Sequence, residues 1–262
     1  MTTLYKRLKS AALRFARLTT ITLLWFLSCS INAQSLGPGA RPVGADWSRS
    51  PVYGAQGMAA TAQPLASQIA IDILKQGGSA VDAAIAANAA LGLMEPTGNG
   101  IGGDLFAIVW DPKTQQLYGY NGSGRSPVGR DLDALLSAIE AMKSGGQLPK
   151  DYRSIPSHGS LAVTVPGTVD GWFALHERWG ALDMDEVLAP AAEYAEIGFP
   201  MSPVIAAAFA ANQRRFEQRE SMIEELDNAR ALYFPEGVAP AVGTMFRNPD
   251  LAKTLRTLGA EG

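Results

Sequence analysis

Cysteine and histidine are scarce in this 262-residue chain, which has one cysteine and two histidines. The single cysteine, Cys29, excludes an internal disulfide, and thiolate metal sites need several cysteines at fixed spacing. The histidines, His158 and His176, are eighteen residues apart, and neither has a second histidine or a carboxylate at metal-ligand spacing. The sequence therefore predicts no metal site, and a surface or capping position is the simplest interpretation of each histidine.

Basic charge is scarce outside the first segment of the chain. Five of the 22 basic residues and none of the 25 acidic ones lie in residues 1–33, which leaves the rest with a net charge of about −8. Neutralisation of phosphates by lysine and arginine supplies most of the non-specific affinity for DNA or RNA. We therefore expect no nucleic-acid partner.

The sequence also lacks a hydrophobic run long enough to cross a membrane. The longest apolar stretch, residues 18–29, falls short of the roughly 20 residues that a spanning helix needs. It follows the basic residues 1–17 and precedes Ser30-Ile31-Asn32-Ala33, a pattern typical of a secretory signal peptide cleaved after Ala33. The sequence thus predicts a secreted or periplasmic protein without a permanent membrane anchor.

Cleavage after Ala33 removes Cys29 and with it any cysteine nucleophile. The alternative is a lipoprotein anchored at Cys29, because residues 26–29 loosely resemble a lipoprotein cleavage box. Phe26 stands where leucine is usual in such boxes. Lipid anchoring is therefore the weaker of the two interpretations.

The pattern along the chain predicts three regions and a helix-rich fold. Residues 1–33 are the signal peptide, residues 34–56 are a Gly-, Pro- and Ser-rich extended linker, and residues 57–262 are the folded region. Hydrophobic periodicity, caps and prolines predict helices over 64–76, 80–93, 131–143, 168–179, 184–197, 203–212, 213–230 and 249–258. A buried strand is predicted over 105–110, its antiparallel return over 116–120, and a further short strand over 161–165.

The end of the sequence suggests an incomplete chain. Leu251, Leu255 and Leu258 form an apolar helical face, and no later element is available to cover it. One hairpin and one short strand also make too small a sheet for so many helices. We therefore expect a truncated chain whose missing strands lie downstream.

A glycine-rich loop over residues 98–103 separates a predicted helix from a predicted strand. A phosphate-binding loop has the opposite order, with a strand first and a helix after it, and residues 98–103 contain no Gly-Lys-Ser/Thr. The glycines permit a close backbone approach beside the strand, or they line a site that a substrate or a neighbouring subunit approaches. Both interpretations stay open, and Glu95 at the mouth of this loop is a candidate acid.

Arg125 is the sharpest candidate for substrate binding that the residues offer. It lies between Gly124 and Pro127 at the end of the predicted hairpin, where its planar guanidinium can bind a carboxylate through two hydrogen bonds. The alternative is a solvated surface arginine. Asn121-Gly122-Ser123-Gly124 only superficially resembles a nucleophile elbow, because it follows a hairpin strand and leads to Pro127 rather than into a helix.

Several motifs, taken in order, resemble the γ-glutamyltransferase (γ-glutamyltranspeptidase) family. The Gly-Gly-Ser-Ala-Val-Asp-Ala-Ala run at 77–84 is the most specific of them, and the resemblance extends over residues 57–262. The other motifs are Glu95-Pro96, Gly100-Ile101-Gly102-Gly103, Val165-Pro166-Gly167-Thr168-Val169-Asp170-Gly171-Trp172, Leu188-Ala189-Pro190-Ala191 and Gly198-Phe199-Pro200-Met201-Ser202.

The resemblance implies an α/β (α+β) fold, the αββα sandwich of the N-terminal nucleophile hydrolases, of which this chain is the helix-rich large-subunit part. Such enzymes are precursors that cut themselves, and the new N-terminal threonine of the small subunit forms a γ-glutamyl acyl enzyme. The only Thr-Thr pairs here, Thr2-Thr3 and Thr19-Thr20, lie in the leader, so the nucleophile is absent from this chain. The implied partners are the chain's own small subunit and a γ-glutamyl substrate such as glutathione, with no cofactor.

One departure from the family pattern concerns the substrate. Members that act on glutathione carry Asp-x-Arg-Glu-x-Ala-Pro at the hairpin end, and with Pro127 as anchor that arginine position falls on Ser123. Arg125 lies two residues further on, so we take both Ser123 and Arg125 as candidate substrate-binding residues. The alternatives are a related acylase that cleaves glutaryl or cephalosporin-type side chains, and a secreted non-catalytic binding paralogue.

Overall fold

The computed structural model describes residues 52–262, so the predicted signal peptide and most of the predicted linker lie outside the described residues. The helices are α1 (Pro64–Lys75), α2 (Ala80–Met94), α3 (Leu132–Ser144), α4 (Thr168–Trp179), α5 (Met184–Ile197), α6 (Pro203–Gln218), α7 (Leu226–Tyr233) and α8 (Pro249–Glu261). The strands are β1 (Leu105–Asp111), β2 (Gln116–Gly122), β3 (Phe199–Pro200) and β4 (Met245–Phe246). Within residues 52–262, no helix has the length and apolar character that a bilayer crossing needs.

Helix α2 lies at the centre of the core because nearly every side of it is apolar. Its N-terminus has the predicted capping box, in which Ser79 and Asp82 accept each other's backbone N–H. Ten of its fifteen residues are buried, and it contacts α1, α4 and α5. The alanines on α2 allow these neighbours to approach closely, as its sequence predicts.

Strands β1 and β2 form the predicted antiparallel hairpin, in register from Leu105 opposite Gly122 to Asp111 opposite Gln116. The prediction that β1 is a buried strand is wrong for one of its faces, because among residues 52–262 helices cover one face of the hairpin only. Alternate residues of β1 pack on the helical core, whereas Phe106 and Ile108 on the other face are 68% and 78% exposed. The continuous apolar run of β1 thus indicates a strand whose second face needs another element to bury it.

Two predictions between residues 160 and 230 are also wrong. Residues 161–165 form no strand: a 3₁₀ turn covers Ser160–Ala162, and the extended residues after it make a single backbone bond to the β2 end of the hairpin instead of a ladder. The predicted helices over 203–212 and 213–230 are instead the single helix α6, a 3₁₀ turn and the shorter helix α7. The pairing of β3 with β4 was not predicted from the sequence.

Helix α8 packs its apolar face against α5, an earlier element of the chain. Leu255 is completely buried and Ala252 is 2% exposed. The helices come so close that a Cβ at Gly259 would lie 2.8 Å from Asp185 Cα. This apolar face, for which the sequence offers no later element as cover, is thus covered by an element from upstream in the sequence.

Candidate functional site

Three segments that are distant in sequence meet at the N-terminus of α4. They are the glycine-rich segment 98–104, the loop 121–130 after β2, and residues 163–168. The carbonyl of Gly103 accepts hydrogen bonds from the backbone N–H groups of Gly167 (2.9 Å) and Thr168 (3.0 Å). The buried Thr168 hydroxyl lies within hydrogen-bond distance of the carbonyls of Gly100 (3.3 Å) and Asp104 (3.1 Å). These bonds fix the glycine-rich segment against the first turn of α4.

The glycine-rich segment is also tied to the centre of α2. Asn99 Nδ2 donates to the carbonyl of Asn88 (2.7 Å), and Asn88 Nδ2 donates to Asn99 Oδ1 (3.3 Å). Asn88 Oδ1 in turn accepts from Trp172 Nε1 on α4 (2.9 Å). Asn88 thus anchors the loop. It is the only amide side chain in α2, whose other charged or amide side chain is Asp82 in the first turn, and this polarity within an alanine-rich run is the sequence signal that marks it.

The loop that carries Arg125 is fixed through its backbone. The N–H of Gly124 donates to Asp104 Oδ1 (2.8 Å), and the carbonyl of Arg125 accepts from the N–H of Val165 (3.0 Å). A Cβ at Gly124 would lie 1.8 Å from the carbonyl oxygen of Val165, so only glycine allows this approach. The Arg125 side chain is exposed and has no hydrogen bond or ion pair with another described residue.

Ser123 is also exposed and lies on the same loop, where its backbone N–H donates to Asn121 Oδ1 (3.0 Å). The structure thus places both predicted substrate-binding residues on one exposed loop beside the glycine-rich segment. Glu95 ends α2, and its carboxylate makes no hydrogen bond to a described residue.

A cavity of about 730 Å³ is lined by part of the glycine-rich segment and by residues of α2, α7 and α8. The residues that line it include Asn88, Asn99, Gly100, Gly102, Trp172, Tyr233, Asp250 and Thr254. Ser123 and Arg125 are not, so the described residues do not place them in this cavity.

Tyr120 lies on β2 near the start of the Arg125 loop, and its hydroxyl donates to Asp170 Oδ2 (3.3 Å). Burial raises the pKa of the Tyr120 phenol, and the neighbouring Asp170 carboxylate raises it further. The raised pKa is consistent with the phenol acting as the hydrogen-bond donor to Asp170. Tyr120 thus joins β2 to the first turn of α4.

Both histidines lie away from this junction. His176 Nε2 is 2.7 Å from the carbonyl of Leu182, in the turn between α4 and α5. His158 Nδ1 is 2.8 Å from Ser157 Oγ, and burial, with the charges of Arg219 and Arg215, lowers the pKa of His158. No group of three or more potential metal ligands occurs among residues 52–262.

Comparison with known proteins gives one consistent family. The sequence profile described as gamma-glutamyltranspeptidase matches residues 66–262. A "glutathione hydrolase proenzyme" from Bacillus subtilis is 34% identical over 209 residues, which cover 80% of this chain and 33% of the relative. The chain thus spans about a third of the length of this curated relative.

Solved structures agree with the sequence matches. The gamma-glutamyltranspeptidase of Helicobacter pylori superposes with a TM-score of 0.67 at 29% identity, covering 80% of this chain and 57% of that one. A cephalosporin acylase from Bacillus halodurans superposes with a TM-score of 0.66 at 37% identity, covering 83% and 39%. The predicted fold class, the helix-rich α+β part of an N-terminal nucleophile hydrolase, is confirmed. With a family profile that matches most of its length, this chain belongs to the gamma-glutamyltranspeptidase family.

Proposed function

We propose that residues 57–262 form the large-subunit region of a self-processing enzyme that transfers or hydrolyses γ-glutamyl groups. The match of the family profile over residues 66–262 carries this proposal, together with relatives named glutathione hydrolase proenzymes. The nucleophilic threonine lies on a small subunit that this chain does not contain. Residues 1–33 direct export and residues 34–56 link the leader to the folded region, with lipid anchoring at Cys29 the weaker alternative.

The proposed reaction needs a hydroxyl, an amine and a carboxylate-binding group. The threonine hydroxyl attacks the γ-carbonyl carbon of the substrate, and the threonine's own α-amine accepts the hydroxyl proton. The amide C–N bond then breaks, the leaving amine receives that proton, and a γ-glutamyl ester remains on the enzyme. Water or the amine of an acceptor amino acid attacks this ester and releases the glutamyl group. No metal or organic cofactor takes part in these steps.

Arg125 is the residue of this chain that we propose binds the substrate carboxylate, with Ser123 beside it on the same loop. The guanidinium is exposed and uncommitted among the described residues, while the backbone on both sides of it is held by hydrogen bonds. A fixed backbone with a free planar cation suits bidentate binding of a carboxylate.

The exposed face of the hairpin supports a small-subunit partner. Four large apolar side chains on the two paired strands are each more than half exposed: Phe106, Ile108, Trp110 and Leu117. Contiguous apolar surfaces of this kind mark interaction sites. We propose that the small subunit covers this face.

A second candidate function is an acylase that removes glutaryl or cephalosporin-type acyl groups. It is favoured by Arg125, which lies two residues beyond the position of the arginine in family members that act on glutathione, and by the similarity to the Bacillus halodurans acylase. γ-Glutamyl and glutaryl anilides differ only by the α-amino group, so their relative kcat/KM values separate the two functions.

The test uses the full-length protein with both anilides and three forms: wild type, Arg125→Ala, and Arg153→Ala as a matched exposed arginine outside the three segments. Loss of a charged hydrogen-bonding partner is expected to raise KM by roughly tenfold to a hundredfold in Arg125→Ala, with little change in Arg153→Ala. Unchanged kinetics would remove Arg125 from the site. Absence of turnover of either anilide by the wild type would favour the non-catalytic binding paralogue.

A further inference from the structure

Asp104 is the last residue of the glycine-rich segment 98–104, and one oxygen of its carboxylate joins the other two segments of the junction. Asp104 Oδ1 accepts the backbone N–H of Gly124 (2.8 Å) and the hydroxyl of Thr164 (3.4 Å). We propose that Asp104 is a positioning residue that holds Arg125 where the substrate carboxylate binds. This inference rests on the proposed role of Arg125.

The backbone of Asp104 is itself fixed, so its side chain acts from a stable point. The Asp104 carbonyl accepts from the buried Thr168 hydroxyl (3.1 Å), and the carbonyl of the preceding Gly103 accepts two N–H groups at the start of α4. The main chain of Asp104 therefore contacts the first turn of α4, and its carboxylate contacts the Arg125 loop. Asp104 links the two.

The Arg125 loop is held from two sides at adjacent residues. Asp104 holds the N–H of Gly124, and the N–H of Val165 holds the carbonyl of Arg125. The hydroxyl of Thr164, which precedes Val165, also donates to the Asp104 carboxylate. The same carboxylate oxygen therefore fixes the segment 163–168 as well. A substrate carboxylate that binds Arg125 then has less backbone to order, which lowers the entropic cost of binding.

The arrangement also leaves the charge of Arg125 available. The Asp104 carboxylate forms no ion pair with Arg125, because the bonds it makes are to a backbone N–H and to a hydroxyl. A charged acceptor makes a stronger hydrogen bond to an N–H than a neutral one does. Asp104 thus fixes the loop without neutralising the guanidinium.

The experiment compares four forms of the full-length protein: wild type, Asp104→Ala, Asp104→Asn and Asp131→Ala. Asp104→Asn keeps a side-chain oxygen that can accept the Gly124 N–H. Asp131 is the matched control, because it is an exposed aspartate whose Oδ1 also accepts one backbone N–H at 2.8 Å, that of Ala134 at the start of α3.

The first measurement is hydrogen–deuterium exchange of the peptides that contain residues 122–126 and 163–166. Exchange is expected to be faster in Asp104→Ala than in wild type, near wild type in Asp104→Asn, and unchanged in Asp131→Ala. Unchanged exchange in Asp104→Ala overturns the inference, whether or not the protein turns over an anilide.

The second measurement determines KM and kcat separately for two substrates. One is the γ-glutamyl anilide with its free α-carboxylate, and the other is the same anilide with a carboxamide in place of this carboxylate. Asp104→Ala is expected to raise KM for the carboxylate substrate by roughly tenfold, the effect of about one charged hydrogen bond, with kcat little changed. KM for the carboxamide should not change, and Asp104→Asn should restore most of the loss.

Two kinetic results would overturn the positioning role: equal effects on both substrates, and an Asp104→Asn variant as impaired as Asp104→Ala. Failure of the proposed function looks different. In that case the wild type turns over neither anilide, while the exchange measurement still shows whether Asp104 holds the loop.

Discussion

Asp82 explains why an aspartate interrupts the alanine-rich run of α2. Its side chain is completely buried, and Oδ2 accepts the backbone N–H groups of Ser79 (2.8 Å), Ala181 (2.9 Å) and Leu182 (3.3 Å). Oδ1 has no hydrogen-bond partner among the described residues and lies 3.7 Å from His176 Nε2. Asp82 thus caps α2 and also holds the turn between α4 and α5.

Replacement of Asp82 by alanine leaves three N–H groups without their acceptor. We expect Asp82→Ala to lower the free energy of unfolding by about 3 to 4 kcal/mol, measured by urea denaturation. Asp72→Ala is the control, since the carboxylate of half-buried Asp72 bonds only to the side chains of Gln68 and Lys75. That control should cost less than about 1 kcal/mol. Equal losses in the two variants would contradict the role assigned to Asp82.

The sequence predicts the short-range part of these residue contacts and not the long-range part. The three-residue spacing of Ser79 and Asp82 indicates a capping pair, because the geometry of a helix start fixes it locally. Contacts of Asp82 with residues 181 and 182, or of Asp104 with Gly124, depend on how distant segments pack. The Arg125 loop is likewise identified from Gly124 and Pro127, whereas the sequence does not indicate that Asp104 and Val165 hold it.

At the scale of elements, helix starts were predicted well and packing partners poorly. Prolines and capping residues mark the starts of α1, α6 and α8, and these are local signals. The false strand at 161–165 is apolar but pairs with no strand among residues 52–262, and the extent of pairing is a tertiary property. The face of α8 looked uncovered because the sequence does not show that α5 packs against it.

Glu224 joins two irregular elements, the loop 157–162 and the segment that follows the 3₁₀ turn Glu220–Met222. Its carboxylate accepts the hydroxyl (2.8 Å) and the N–H (3.1 Å) of Ser160. The side-chain hydrogen bond from Ser160 is the main reason why the pKa of Glu224 is lowered from its ordinary value of 4.5. The folded state therefore favours the ionised carboxylate.

A lowered pKa gives stability that is present above the unfolded value and is lost as the pH falls through the folded value. We therefore expect Glu224→Gln to be less stable than wild type above pH 4.5, with the difference shrinking below it. Urea denaturation at a series of pH values measures this. Glu236→Gln, whose carboxylate contacts no described partner, should match wild type throughout. A Glu224→Gln difference that grows on acidification would contradict this assignment.

At the scale of the whole molecule, the exposed hairpin face is the feature that the described residues leave unexplained. If the rest of the protein covers Ile108, as we propose, Ile108→Ser in the full-length protein should lower the free energy of unfolding by about 2 kcal/mol or more. Val242→Ser is the control, because Val242 is 61% exposed and lies outside the hairpin. Equal, small effects of both substitutions would mean that the face stays open to solvent.

The family was identified from short motifs, and the structure gives several of them a physical reason. The Gly-Gly-Ser-Ala-Val-Asp-Ala-Ala run provides the cap and buried anchor of α2, while Gly103, Gly167 and Thr168 form the junction at α4. The sequence predicts that the exposed side of β1 is buried. The composition of a strand shows that its faces need burial, but it does not show which element buries them.

The central claim is that this chain works with a separate small subunit whose first residue is the nucleophile. N-terminal sequencing of the polypeptides in the purified full-length protein tests it most directly. The claim predicts two associated polypeptides, one that begins within this chain after the proposed leader and one that begins with threonine. It also predicts loss of cleavage when that threonine is replaced by alanine. A single uncleaved polypeptide that hydrolyses the γ-glutamyl or glutaryl anilide would contradict it.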